Sequence, residues 1–197
     1  MARPRAEDYA DKQQAILHGA AAVFASQGME KASMAEIART CGISKPLLYH
    51  YYASKQALVF EIIMAHLTEL DAVTEAADTP KEPTARLEAL IIATLESYRD
   101  KDDFHQVQLT STGMLEEAQK EAIRRVERRI VARFTTVLTT INPALADTPH
   151  LRMPITMSLF GMLNWVYTWF REDGALDRKE YAQLATRLFV GGLANLR

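Results

Sequence analysis

The chain has 197 residues, of which 48% are hydrophobic and 24% are charged, and its formal net charge at pH 7 is −2. This balance indicates a folded globular protein with one or two domains and excludes a disordered chain. The single cysteine excludes an internal disulfide, and the N-terminus has no apolar segment of the signal-peptide kind, so a cytoplasmic location is expected.

Apolar residues recur at helical spacing through the N-terminal part, and no segment shows the alternation of a strand. Ser33 and Glu36 form the S-x-x-E pattern of a capping box, which predicts a helix start. Gly42 separates two short helices, and Ser44 caps the second of them. The helices predicted here cover residues 8–26, 33–40, 44–52 and 54–77.

A proline-bearing linker at 78–83 is followed by further helical segments. Residues 153–170 carry no charge, but Pro154, Gly161 and Asn164 favour a helix buried at an interface over a membrane span. Asp177 and Glu180 form a second capping box before an apolar stripe on the last helix. The predicted helices are about 84–100, 104–111 and 116–141, a charge-free helix ending near 174, and a final helix. The fold class is therefore all-α.

The two short helices joined at Gly42 have the spacing of a helix-turn-helix. Ile37, Ala38, Ile43 and Leu48 are apolar or small where the two helices must meet. From Gly28 to Leu58 the chain resembles the DNA-binding domain of TetR-type transcriptional repressors, and the segment "IARTCGISKPLLYHYYASKQAL" carries the resemblance. The resemblance implies an N-terminal three-helix DNA-binding domain at 1–60, with its motif at about 33–52, and a larger helical ligand-binding and dimerisation domain at 61–197.

The resemblance also implies roles for residues of the motif. The first turn of the second short helix points at base edges in such domains, where a lysine donates to guanine and apolar groups contact thymine methyls. Other positions face phosphates, and an N-terminal arm could enter a minor groove. The predicted DNA-binding residues are Ser33, Lys45, Pro46, Leu47, Tyr49, His50, Tyr51 and Lys55, with Arg3 and Arg5 on the arm.

For the C-terminal domain, the resemblance implies a homodimer that encloses a small-molecule inducer and binds a palindromic double-stranded operator. The segment "SLFGMLNWVYTWFREDG" is similar to that of TetR-type regulators of acyl-CoA and aromatic-acid breakdown, which implies an acyl-CoA or an aromatic acid as the inducer. Aromatic and polar side chains mix here as they do in ligand sites. The predicted ligand-binding residues are Tyr98, Phe104, His105, Gln108, Phe160, Asn164, Trp165 and Trp169.

Three classes of function remain open from the sequence. The first is a repressor released by an inducer, and the second is a DNA-binding regulator without an inducer that is controlled by a protein partner. The third, an enzyme on a helical scaffold, has no supporting motif. The histidines show no H-x-x-x-H pair and one cysteine excludes a multi-thiolate zinc site, so we expect no cofactor, no metal and no catalytic residues.

Overall fold

The computed structural model describes the backbone of residues 3–196 and the side chains of residues 9–196, and every regular element among them is helical. The predicted all-α class is confirmed. Short 3₁₀ turns lie at Thr112–Met114 and Val166–Thr168. The helices are α1 (Arg3–Lys31), α2 (Met34–Thr40), α3 (Lys45–Tyr51), α4 (Lys55–Ala77), α5 (Pro83–Ser97), α6 (Asp102–Ser111), α7 (Glu117–Ile141), α8 (Ala144–Asp147), α9 (Pro149–Asn164) and α10 (Arg178–Leu193).

The chain divides into two compact units, and the first comprises the residues up to Leu67 together with Lys101–Arg124. In this unit α1 packs against α2 and α6, and α2 packs against α3. Its core includes the fully buried Ile16, Ile37 and Leu58. The sequence did not predict that α6 would pack with the N-terminal helices, and the domain division at residues 60 and 61 stays a prediction.

The second unit comprises Thr68–Asp100 and the chain from Arg125 onward. Here α10 and α9 both pack against α5, and α8 packs against α9. Its core includes Leu90, Phe134 and Leu159, which are fully buried. Burial of such side chains contributes about 1.5–3 kcal/mol each.

Helix α1 is longer than the sequence predicted. It begins at Arg3 rather than near residue 8, so the backbone of residues 3–7 is helical and is not the arm that was expected. Gly28 interrupts it with φ of 80° and ψ of 156°, a conformation that glycine adopts without a Cβ penalty. Helical hydrogen bonding resumes after Gly28, and α1 ends at Lys31, beyond the predicted end at residue 26.

Helix α9 is shorter than the sequence predicted, because it ends at Asn164 rather than near residue 174. The N–H of Thr168 donates to the carbonyl of Trp165, and the N–H of Trp169 donates to that of Val166, so the chain tightens into a 3₁₀ turn. The charge-free segment is therefore not one helix. No helix in the described part of the chain has the length and hydropathy needed to cross a bilayer.

Candidate nucleic-acid interface

The helix-turn-helix is built by two serine caps and one glycine. Ser33 Oγ accepts a hydrogen bond from the Glu36 N–H at 3.2 Å, and Ser44 Oγ accepts one from the Leu47 N–H at 3.3 Å. Gly42 has φ of 65°, which a side chain would strain. These contacts start α2 and α3 and turn the chain between them where the sequence predicted. The Ser33 half of the predicted capping box is present, but the Glu36 carboxylate lies 3.7 Å from Arg39 and does not accept from the Ser33 N–H.

One side of α3 is buried and the other is exposed. Leu48 is completely buried and fixes the rotation of the helix about its axis. The predicted base-contacting residues Lys45, Pro46 and Leu47 are all exposed at its first turn. The arrangement leaves a cation and two apolar groups at the end of α3 that a recognition helix presents to a groove.

Three further predicted residues follow along α3. Tyr49 is 46% exposed, and the Lys45 Nζ lies 5.9 Å from the centroid of its ring, within cation–π range. His50 is exposed and Tyr51 is half-buried, with their rings 5.8 Å apart in an edge arrangement. Tyr52 is buried, and burial raises the pKa of its hydroxyl.

Lys55 has a different partner from the one that the sequence predicted. Its Nζ donates hydrogen bonds to the carbonyl oxygens of Met29 at 2.7 Å, Ala32 at 2.8 Å and Glu30 at 3.2 Å. An ammonium group has three donors. All three are directed at the C-terminal end of α1, so the side chain caps that helix instead of presenting its charge to a phosphate.

Of the remaining predicted DNA-binding residues, the structure describes the side chain of Ser33 but not those of Arg3 and Arg5. Ser33 is exposed, and its hydroxyl oxygen already accepts the capping hydrogen bond of α2. The side chains of Arg3 and Arg5 lie outside the described residues. Their proposed contact with a minor groove stays a prediction.

Cys41 packs against α1 and has no sign of a reactive thiol. Burial raises its pKa, which keeps the group protonated at neutral pH. Its Sγ lies 3.8 Å from the Ile16 carbonyl oxygen. A Cβ added at Gly19 would come within 2.5 Å of that sulfur, so the glycine permits the close approach of the helix-turn-helix to α1.

The predicted ligand residues of the first unit lie in its interior. Phe104 and His105 are buried on α6, and Gln108 is half-buried. His105 Nδ1 lies 3.4 Å from Nε2 of His66. Burial, together with the nearby His105 and Lys101, lowers the pKa of His66 to about 3, so its imidazole is neutral at pH 7. These side chains hold α6 in the packing of the unit.

The predicted ligand residues of the second unit divide into a buried group and an exposed pair. Tyr98 is buried, which raises the pKa of its hydroxyl, and it donates a hydrogen bond of 3.0 Å to Asn164 Oδ1. Phe160 is buried too. Trp165 and Trp169 are 62% and 50% exposed, so they do not share the buried surroundings of Tyr98 and Phe160.

An ion-pair network in the second unit engages two arginines of α7. Arg129 Nε donates to Asp71 Oδ2 at 2.8 Å, and Arg133 Nη1 donates to Asp71 Oδ1 at 3.2 Å and to Thr74 Oγ1 at 3.0 Å. Asp71 and Thr74 lie about sixty residues before these arginines in the chain, so no pattern in the local sequence indicates the pairing.

Apolar side chains line an open cleft of about 330 Å³ between α9 and α10. Leu188 and Leu196 at this cleft are 61% and 44% exposed, and Met157 on α9 is 47% exposed. Exposed apolar side chains at and near such a cleft are typical of an interface with another protein. Among residues 9–196, no three His, Cys, Asp or Glu side chains come close enough to hold a metal ion.

Comparisons with known proteins agree with this geometry. The family model "Bacterial regulatory proteins, tetR family" matches residues 16–62, and "Tetracyclin repressor-like, C-terminal domain" matches residues 80–193. The transcriptional repressor KstR2 of Mycobacterium tuberculosis is 26% identical over 187 residues, covering 90% of each chain. Relatives of this kind are named as transcriptional regulators and not as enzymes.

Solved structures give the same result. A TetR-family regulator from Bordetella parapertussis is 34% identical, with a TM-score of 0.85 over 92% of this chain and 95% of that one. AibR, solved with isovaleryl coenzyme A and operator DNA, shares the fold at 24% identity, with a TM-score of 0.75 over 92% and 97% of the two chains. The two family models together match most of the chain, from residue 16 to residue 193. The protein therefore belongs to the TetR family of DNA-binding transcriptional regulators.

Proposed function

We propose that the protein is a homodimeric repressor that binds a palindromic operator through α3 and is released by a small-molecule inducer. The exposed face of α3 carries this proposal. With Leu48 directed inward, the first turn presents Lys45, Pro46 and Leu47, and the later turns present Tyr49 and His50. Because the operator DNA would lie in the cytoplasm, the proposal places the protein there.

In this proposal, one set of residues contacts the DNA bases and another set contacts the DNA phosphates. Lys45 reaches guanine O6 and N7, while Pro46 and Leu47 contact a thymine methyl. Tyr49, His50 and Tyr51 hydrogen-bond phosphates, together with the first-turn N–H groups of the helices. Because Lys55 Nζ is engaged by carbonyls, the phosphate near its helix is assigned to backbone N–H groups of α4 and not to its ammonium.

Operator binding by Lys45→Ala tests this division. Discrimination should relax at one base pair of each half-site, by about 1–3 kcal/mol, while other positions keep their preference. Anisotropy titrations against a set of single-substituted operators measure this. Uniform weakening across all sequences would contradict a base contact by Lys45.

The apolar face of α9 and α10 supports dimer formation. The exposed Leu188 and Met157 lie on neighbouring helices, and two helices from each subunit would form a four-helix interface. A two-fold dimer places its two recognition helices on half-sites about one turn of DNA apart or a multiple of it, which requires a palindrome.

A charge at Leu188 tests the interface. Leu188→Glu should give a monomer by sedimentation equilibrium with helical content retained, and it should lose operator binding. Leu109→Glu is the matched control, because Leu109 is 47% exposed on α6 of the first unit, and it should remain dimeric. A dimer that survives Leu188→Glu contradicts this interface.

The inducer is proposed to be an acyl-CoA or an aromatic acid. AibR shows that this fold can accommodate both an acyl-CoA and operator DNA. The Tyr98–Asn164 pair and Phe160 supply a buried polar contact beside aromatic area in the second unit. A ligand can shift the operator equilibrium only by its differential affinity, so tenfold weaker binding needs about 1.4 kcal/mol of coupling.

A regulator without an inducer is the second candidate, and the exposure of Trp165 and Trp169 favours it. These two side chains offer surface to a protein partner instead of enclosing a ligand. A thermal-shift screen of metabolites that includes CoA thioesters separates the candidates, since a bound ligand raises the apparent stability. A stabilising ligand that also releases the operator supports the first candidate, and the absence of any such ligand supports the second.

A further inference from the structure

A side chain of α1 contacts the recognition helix beside the proposed DNA interface. The rings of Tyr9 and Tyr51 are stacked, with centroids 4.8 Å apart and an interplanar angle of 26°. Tyr9 is 46% exposed, so the pair lies at the surface of the first unit. Nothing in the local sequence joins these residues, which are 42 positions apart.

The contact restricts Tyr51 from two directions. Tyr9 covers one face of its ring, and the His50 ring approaches with a centroid separation of 5.8 Å and an interplanar angle of 85°. The next residue, Tyr52, is buried and anchors the end of α3. A half-buried tyrosine at the last position of a short helix therefore has few rotamers left to it.

We propose that Tyr9 is a positioning residue for operator binding, which holds the Tyr51 ring in the orientation that contacts DNA. This inference rests on the proposed DNA-binding role of Tyr51. Immobilising a side chain when a complex forms opposes binding, and a ring already fixed in the free protein avoids part of that loss. Helix α1 thus contributes to the DNA interface through the recognition helix.

A double-mutant cycle on operator binding tests the inference. Tyr9→Ala in the full chain should weaken binding about twofold to tenfold, the range expected for one aromatic pair. In a Tyr51→Ala background the same change should have no further effect. Tyr9→Phe keeps the stacked ring and should bind like the unchanged protein, and the salt dependence should not alter because no charge is lost.

The matched control is a second cycle with Tyr49, which lies on the same helix near Lys45. Tyr9→Ala and Tyr49→Ala should weaken binding independently, so that their fold-changes multiply. Melting temperature is measured for every variant. A merely structural role for Tyr9 would lower the melting temperature and leave the operator Kd unchanged, which overturns the inference.

Two other results would also overturn it, and they have different meanings. Equal weakening by Tyr9→Ala in both backgrounds would show that Tyr9 acts independently of Tyr51, while the proposed interface stands. No effect of Tyr51→Ala on binding would remove Tyr51 from the interface itself, and the positioning role of Tyr9 with it.

Discussion

Replacing Lys55 with methionine removes the ammonium group but keeps an apolar side chain of similar length. Hydrogen bonds to charged groups contribute about 1.5–3 kcal/mol each when measured singly. The contacts to Met29 and Ala32, at 2.7 and 2.8 Å, are half-buried, and the longer one to Glu30 is exposed. Three bonds from one donor group are not additive, and water can reach the carbonyls, so the loss is about 2–3 kcal/mol.

A smaller effect opposes this loss. Lys55 is the first residue of α4, where a positive charge is unfavourable with the helix dipole by about 0.3–1 kcal/mol. The net destabilisation of Lys55→Met is therefore about 2 kcal/mol, or roughly 4–8 °C in Tm for a chain of this size. Thermal unfolding followed by circular dichroism measures it, with Lys81→Met, an exposed lysine of the linker, as the neutral control.

The same variant separates capping from phosphate binding. Because Nζ is engaged by carbonyls, Lys55→Met should leave the slope of log K against log salt unchanged for operator binding. A phosphate contact would instead lower that slope by about one. A reduced slope with an unchanged Tm would refute the capping role and restore the role that the sequence predicted.

Three other predictions concern the first unit and an exposed control. Gly19→Ala should destabilise by about 1–3 kcal/mol through collision with the Cys41 sulfur, although alanine otherwise favours a helix, and Cys41→Ala should relieve the loss in urea unfolding. The folded-state pKa of His66 is about 3, and its unfolded pKa is near 6.5. Protonation of His66 in the unfolded chain therefore lowers the free energy of unfolding only as the pH falls below about 6.5. From pH 7 to 5 it falls by about 2 kcal/mol, so His66→Gln should flatten this loss and His150→Gln should not. Ser44→Ala should cost about 1 kcal/mol by uncapping α3, seen as a lower urea midpoint; an unchanged midpoint would contradict the cap.

Local chemistry made most of the helices predictable. The serines before α2 and α3 and the box at Asp177 set helix starts through contacts only three residues long, which a sequence displays directly. The buried side of α3 followed from apolar spacing. The predicted end of α9 was wrong. The charge-free segment continues beyond Asn164, and composition does not distinguish a regular helix from a 3₁₀ turn.

Contacts between distant segments were not predictable in the same way. The carbonyls that engage Lys55 lie about 25 residues earlier, and a lysine beside a helix-turn-helix reads equally well as a phosphate contact. The stacking of Tyr9 on Tyr51 likewise depends on how α1 crosses α3. Trp169 looked like a ligand residue from its type alone, and only its exposure argues otherwise.

The most direct test of the central claim is an anisotropy titration of the full chain against palindromes from the DNA upstream of its own coding sequence. The account predicts saturable binding of two protomers per palindrome, steep weakening with salt, and loss of binding when either half-site is scrambled. Binding that is equal for intact and scrambled DNA at every salt concentration would contradict a sequence-specific dimeric repressor.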